Sequence, residues 1–231
     1  MASPVPIANE APWRAGLRGA RANLVPGLVL QAFALALVGS YYFVPVVRDA
    51  LNDLALWRED VGFISGIVST ALFGGLLPLL YLRLNPATSS RFDLRQSAAL
   101  IVFWGYKGFE VDLFYRILAA TVGNDAEVST IAIKSVIDQF VYCPLIAMPN
   151  TWIAYRWIEH HFAWSEVGPR VAAPGWFTRD LLPLMVANFG IWAPMVVIIY
   201  LLPTALQLPL QNIVLCFFTL MVAHLSQKKA A

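Results

Sequence analysis

The sequence predicts an all-α protein: a polytopic transmembrane helical bundle of about six apolar segments, the last two forming a short hairpin. Three observations lead there. Of 231 residues, 59% are hydrophobic and 13% charged, against roughly a quarter charged in a soluble domain. The apolar residues fall in runs of about 20, enough to cross a hydrocarbon core about 30 Å thick. The polar residues lie mostly between those runs, and the mean hydropathy is +0.65. No hydrophilic insertion could house a soluble domain, so residues 24–226 read as one membrane domain. Residues 1–23 are a polar lead-in and residues 227–231 a short basic tail.

The lead-in carries Arg14, Arg18 and Arg21 at spacings of four and three, with Trp13, Leu17 and Leu24 as apolar points. It reads equally as an interfacial amphipathic helix or as a solvated turn; an Arg-rich start also has the look of an organelle targeting peptide. The first apolar run begins near Leu24 and more spans follow, so it reads as a retained helix, not a cleaved signal. The segments are 24–47, 61–83, 95–121, 131–157, 181–202 and 207–225. Pro203 to Leu208 separates the last two. A short turn beside proline fits an antiparallel hairpin; a single broken helix with a re-entrant part would lower the count to five or four.

Charge tests this order. With the amino terminus in the cytoplasm, inside-facing segments hold Arg14, Arg18, Arg21, Arg83, Arg91, Arg95, Arg156, Arg170, Arg179, Lys228 and Lys229. Outside-facing segments hold Arg48 and Arg58, together with Asp49, Asp53, Glu59 and Asp60, and Lys134 stands at a span edge. The asymmetry follows the positive-inside tendency and predicts both termini on the cytoplasmic or matrix side. A bacterial plasma membrane and a mitochondrial inner membrane fit alike. Trp57, Trp157, Trp164 and Trp176 sit near segment edges, as an aromatic belt requires.

Other patterns narrow the function. Cys143 and Cys216 lie inside apolar segments and form no metal motif. The adjacent His160 and His161 cannot both reach one metal from one helix face. There is no Gly-rich phosphate loop, no Ser/His/Asp set, and no Lys/Arg cluster dense enough for nucleic acid. The chain is therefore expected to need no cofactor and to be no enzyme; its partners would be membrane lipid, small polar solutes or ions, and a second copy of itself. Gly62, Ser65, Gly66, Ser69, Thr70, Gly74 and Gly75 form a run of small residues that predicts a close contact between helices of one chain.

The third and fourth segments carry the chemistry. Residues 104–118 read WGYKGFEVDLFYRIL. Lys107 and Glu110 are i,i+3 neighbours, and Asp112 and Arg116 are i,i+4 neighbours. At 3.6 residues per turn the two pairs point in roughly opposite directions. Both faces must then meet protein, water or headgroups, which makes this helix central. These charges either line a polar cavity or act as neutralised pairs that set helix register. In the fourth segment Asp138 and Gln139 precede Pro144 and Pro149, each of which removes a backbone donor. Asp138 is the expected partner of Lys107 or Arg116, so that Asp138→Ala would strand a cation. Asn150 is expected to satisfy part of the kink. Asn188, near Trp192 and Pro194, opens the fifth segment. Gln31, Tyr41, Tyr42, Tyr200, Gln211 and Asn212 are expected to bond between helices.

Three blocks in this order resemble the Mpv-type family of small peroxisomal and mitochondrial inner-membrane proteins. The first has Gly108 and Phe109 at the family's Gly-Pro, Phe114 and Tyr115 at its Trp-Tyr, and Leu118 and Ala119 at its Leu-Asp. The second has Lys134, Asp138, Gln139 and Pro144 at the family's spacing. The third keeps Asn188, Trp192, Pro203, Leu225 and Ser226, with Gln207 where the family has Arg. The resemblance covers about residues 61–226, so the first segment looks like an addition to the family's usual four spans, and the departures suggest a distant, bacterial branch. It implies weakly selective channel behaviour or metabolite passage, with no established catalytic residues. The expected function is thus a channel or small-solute permeability protein. The expected polar core or cavity lining is Lys107, Glu110, Asp112, Arg116, Asp138, Gln139 and Asn188. The alternative is a non-conducting structural or adaptor protein that organises lipid or protein partners.

Overall fold

The architecture is that of a computed structural model describing residues 11–86 and 88–228, with side chains as far as Met221. The first ten residues of the lead-in, most of the basic tail, and the side chains of Leu225 and Ser226 lie outside the described residues. The described chain is helical throughout and has no strand. Nine continuous helices follow in order: α1 Pro12–Ala22, α2 Leu24–Phe43, α3 Pro45–Val61, α4 Phe63–Leu84, α5 Leu94–Thr121, α6 Val128–Glu159, α7 Trp164–Ala172, α8 Phe177–Tyr200 and α9 Thr204–Lys228.

Five of them, α2, α4, α6, α8 and α9, are long and apolar enough to cross a membrane, which marks the chain as a membrane protein. The sixth expected segment, α5, has 28 residues, ample length for a crossing, but holds Arg95, Lys107, Glu110, Asp112 and Arg116. It runs antiparallel to α4 and α6 over the same depth. Gly66 and Gly75 of α4 meet Gly108 and Ile101, while Glu110 and Trp104 meet Tyr142 and Tyr155 of α6. Leu201 to Pro203 join α8 to α9 as an antiparallel pair, and Trp192 lies against Phe218.

Backbone chemistry sets the boundaries. Pro45 cannot donate to an α2 carbonyl, and Val44 is extended, so α2 stops at Phe43 and the expected run to residue 47 divides. What read as an outside loop is the helix α3. Gly62, with φ 66°, turns the chain between α3 and α4 and has open space around it. It serves as a turn, and the close packing expected of it falls to Gly66, Gly74 and Gly75. Asp93 opens α5 with a capping box: its Oδ1 accepts from the Gln96 amide and its own amide donates to Gln96 Oε1. Three stretches, Ala71–Leu76, Asp138–Ala147 and Phe177–Leu181, widen to π-helical turns. Each leads into or contains a proline (Pro78, Pro144, Pro183) whose missing N–H breaks the regular ladder.

Apolar side chains cover the outside of the bundle as well as its core. Val25, Val68, Val102, Phe140 and Leu145 are exposed, whereas Arg58, Lys107, Asp112, Lys134, Asp138 and Asn212 are buried. One apolar core joins Leu30 and Ala34 of α2, Val111 and Leu118 of α5, Met195 and Ile199 of α8, and Leu210 and Val214 of α9. The described part of the lead-in is a helix packed against the bundle. α1 packs on α8, where a Cβ at Gly16 would sit 2.5 Å from that of Val186; Trp13 and Leu17 stay exposed. The long connection at residues 158–180 contains α7, held by Val167 against Trp152 and Leu181.

Candidate functional site

The charges of α5 separate onto two faces, as their spacing requires, and each face meets a different part of the bundle. On one, Lys107 Nζ pairs with Glu110 and also donates to Asn150 Oδ1 at 3.3 Å. Glu110 further accepts from the Tyr142 hydroxyl at 2.6 Å and from Asn150 Nδ2 at 2.5 Å. Asn150 therefore serves this ion pair; the backbone carbonyl of Ala147 is met by Thr151 instead. On the other face, Asp112 is 2% exposed and lies 3.2 Å from Arg58 Nη2 and 3.3 Å from Arg116 Nη2. Arg58 also donates to the Ala205 carbonyl. This residue, read from sequence as an outside-loop charge, is 3% exposed.

Asp138 overturns its expected pairing. Its Oδ2 accepts from the Tyr200 hydroxyl at 2.7 Å and its Oδ1 from Gln139 Nε2 at 3.0 Å. Neither Lys107 nor Arg116 forms an ion pair with it; both are held by carboxylates of their own helix. The π-helical stretch of α6 begins at Asp138, turning residues 138 and 139 toward the bundle interior. Gln139 Oε1 and Trp192 Nε1 are buried with no hydrogen-bond partner among the described residues.

Between α4, α5, α6, α8 and α9 lies a cavity of about 520 Å³. At one end its lining includes the solvent-accessible Arg91, Arg156 and Glu159. Deeper, its walls are largely aromatic and aliphatic. Its inner lining holds Lys107, Asp138, Gln139 and Asn188, with Tyr115, Tyr142 and Gln211. Four of the seven expected site residues are thus brought to one space. Asn188 Nδ2 lies 4.0 Å from Cys143 Sγ, another lining atom. Glu110 stands behind Lys107, and Asp112 and Arg116 face away from the cavity, where they fix helix register. Of the two pairs, only Lys107–Glu110 has a member in the cavity lining, and Asp112–Arg116 meets Arg58 instead.

A second pocket of about 80 Å³ lies at the opposite end of the bundle, lined by Asn124, Asp125, Lys134, Tyr200 and Gln207. Tyr200 borders it while bonding Asp138 of the larger cavity, so this side chain stands between the two. Hydrogen bonds from the Thr130 hydroxyl and the Glu127 amide hold the Asp125 carboxyl below its ordinary range. It thus stays ionised in the field of Lys134.

Several further polar residues bond between helices as expected. Gln31 donates to the Ile191 carbonyl at 3.0 Å, Tyr115 donates to Gln211, and Asn212 bridges Ser69 and Thr70. Sequence reasoning missed Arg58 and Tyr142 as site partners, and expected of Tyr200 a bond between helices without naming Asp138 as its acceptor. Only the placement of Arg58 in an amphipathic stretch beside a span hinted at burial. Among the described residues no group of three His, Cys, Asp or Glu side chains could hold a metal ion. No family model, no curated protein and no solved structure matches this chain.

Proposed function

We propose that this membrane protein is a small-solute permeability protein and that the larger cavity is its solute site, with no catalytic step. The observation that carries the reading is the cavity itself. Its volume, about 520 Å³, falls within the roughly 300–1,000 Å³ of small-molecule sites. Its lining runs from the accessible Arg91, Arg156 and Glu159 to the buried Lys107, Asp138 and Gln139. Proline-interrupted helices around a polar space at membrane depth are the usual setting of a transport site. In this reading Tyr200 closes the inner end, and movement of its ring would join the two cavities. The end bearing Arg83, Arg91, Arg156 and Arg170 faces the cytoplasm or matrix. The resemblance to the Mpv-type family points the same way.

The test is flux of radiolabelled small solutes into liposomes carrying the purified chain. Uptake above that of empty liposomes is the expected result. Uptake equal to empty liposomes for cationic, neutral and anionic solutes at several voltages would refute it. A second reading has its own observation: the Arg58–Asp112 pair and the Gly66–Gly108 contact are buried close packing, as suits a non-conducting adaptor that organises lipid or partner proteins. That reading requires the absence of flux together with an intact fold.

A further inference from the structure

The charges that border the larger cavity do not balance at its inner end. At the mouth, Arg91 and Arg156 both reach Glu159. Inside, Lys107 is matched by Glu110, whose two oxygens also take bonds from Tyr142 and Asn150. Among the described residues that border the cavity, Asp138 alone has no cation beside it. It is 6% exposed, and its hydrogen-bond partners among the described residues are a phenol and an amide. The nearest cation along α6, Lys134, lines the other pocket in the company of Asp125. A carboxylate has about four lone-pair sites, so each Asp138 oxygen can accept once more. Its neighbour Gln139 has an acceptor oxygen without a donor. The wall at the inner end thus holds surplus acceptors and one carboxyl group with no cation beside it among the described residues. An anion would find Lys107 already taken and Asp138 opposed to it.

The walls add a second property. Trp104, Tyr115, Tyr142, Trp152, Tyr155 and Trp192 all border the space, and aromatic faces attract cations, most strongly where water is excluded. We infer that the cavity takes an organic cation: an ammonium group that reaches Asp138 and Gln139, on an apolar or aromatic body that fills the space toward the mouth. This rests on the reading of the cavity as a solute site and names the class of solute.

The experiment is equilibrium dialysis of tritiated tryptamine against the full chain in non-ionic detergent at pH 7, with empty micelles as the blank. Saturable binding is expected. Unlabelled tryptamine should displace the label at concentrations at least tenfold lower than the neutral tryptophol or the anionic indole-3-propionate. Asp138→Asn should weaken tryptamine binding at least tenfold. Where that variant folds poorly, Gln139→Glu, which adds a second carboxylate, should strengthen binding. Equal displacement by the three indoles overturns the inference, as does unchanged affinity in both variants. Liposome flux of neutral or anionic solutes without tryptamine binding also overturns it, and leaves the solute path standing. Tryptamine binding without any flux supports the cation site and removes the permeability reading.

Discussion

Asp112→Ala removes the carboxylate that holds two guanidinium groups, and its cost can be worked from their surroundings. Arg58 is 3% exposed and its only ionic partner among the described residues is Asp112, at 3.2 Å. Removing one member of such a buried pair costs about 3–5 kcal/mol in soluble proteins, because the other charge is left buried and unpaired. The Arg116 side chain is 38% exposed, so its share is that of a surface pair, about 0–1 kcal/mol. Arg58 therefore dominates. For a chain of this length each kcal/mol moves the melting temperature by about 2–4 °C, so a fall on the order of 10 °C is expected. Thermal melting of purified variants in detergent measures it. The double variant Arg58→Met with Asp112→Leu should recover most of the loss, since both charges leave together. Melting of Asp112→Ala within about 2 °C of wild type, well under the shift expected, would refute the reasoning. So would a double variant no more stable than the single one.

Asp138→Ala should cost less than Asp112→Ala, about 1–3 kcal/mol, because it strands the Tyr200 hydroxyl and the Gln139 amide but no cation. Melting the two variants side by side decides this, and a larger loss for Asp138→Ala would point to a cation held by Asp138. Gly108→Ala would place a Cβ 2.2 Å from the Gly66 carbonyl oxygen and 2.8 Å from Thr70 Cβ. The α4–α5 contact must then open, at a cost of about 1–3 kcal/mol; an unchanged melting temperature would show that this seam is loose. Cys143 borders the large cavity and Cys216 does not. A small neutral methanethiosulfonate should therefore label Cys143 well before Cys216, as read by peptide mass spectrometry, and labelled protein should show slower solute flux. Labelling at equal rates would place Cys143 away from an accessible space.

The sequence by itself determined the fold class, the approximate spans and the two-faced character of the charged helix. Each of these depends on local spacing. Apolar runs of bilayer length need no partner to be recognised, and the pairs Lys107–Glu110 and Asp112–Arg116 follow from positions three and four apart on one helix. Four residues of the cavity, Lys107, Asp138, Gln139 and Asn188, were legible because polar groups at membrane depth stand out against an apolar background. The tertiary structure decided what lies across from each of them. Arg58 is 54 positions from Asp112, and Asp138 is 62 positions from Tyr200. Which of two cations or which phenol meets a carboxylate depends on how neighbouring helices are rotated and how far each slides along the other. Prolines, π-helical turns and the Gly66–Gly108 approach set that rotation and register together. The docking of α1 on α8, the turn at Gly62 and the cavity itself have the same origin. They are properties of surfaces brought together, and no single segment of the chain contains them.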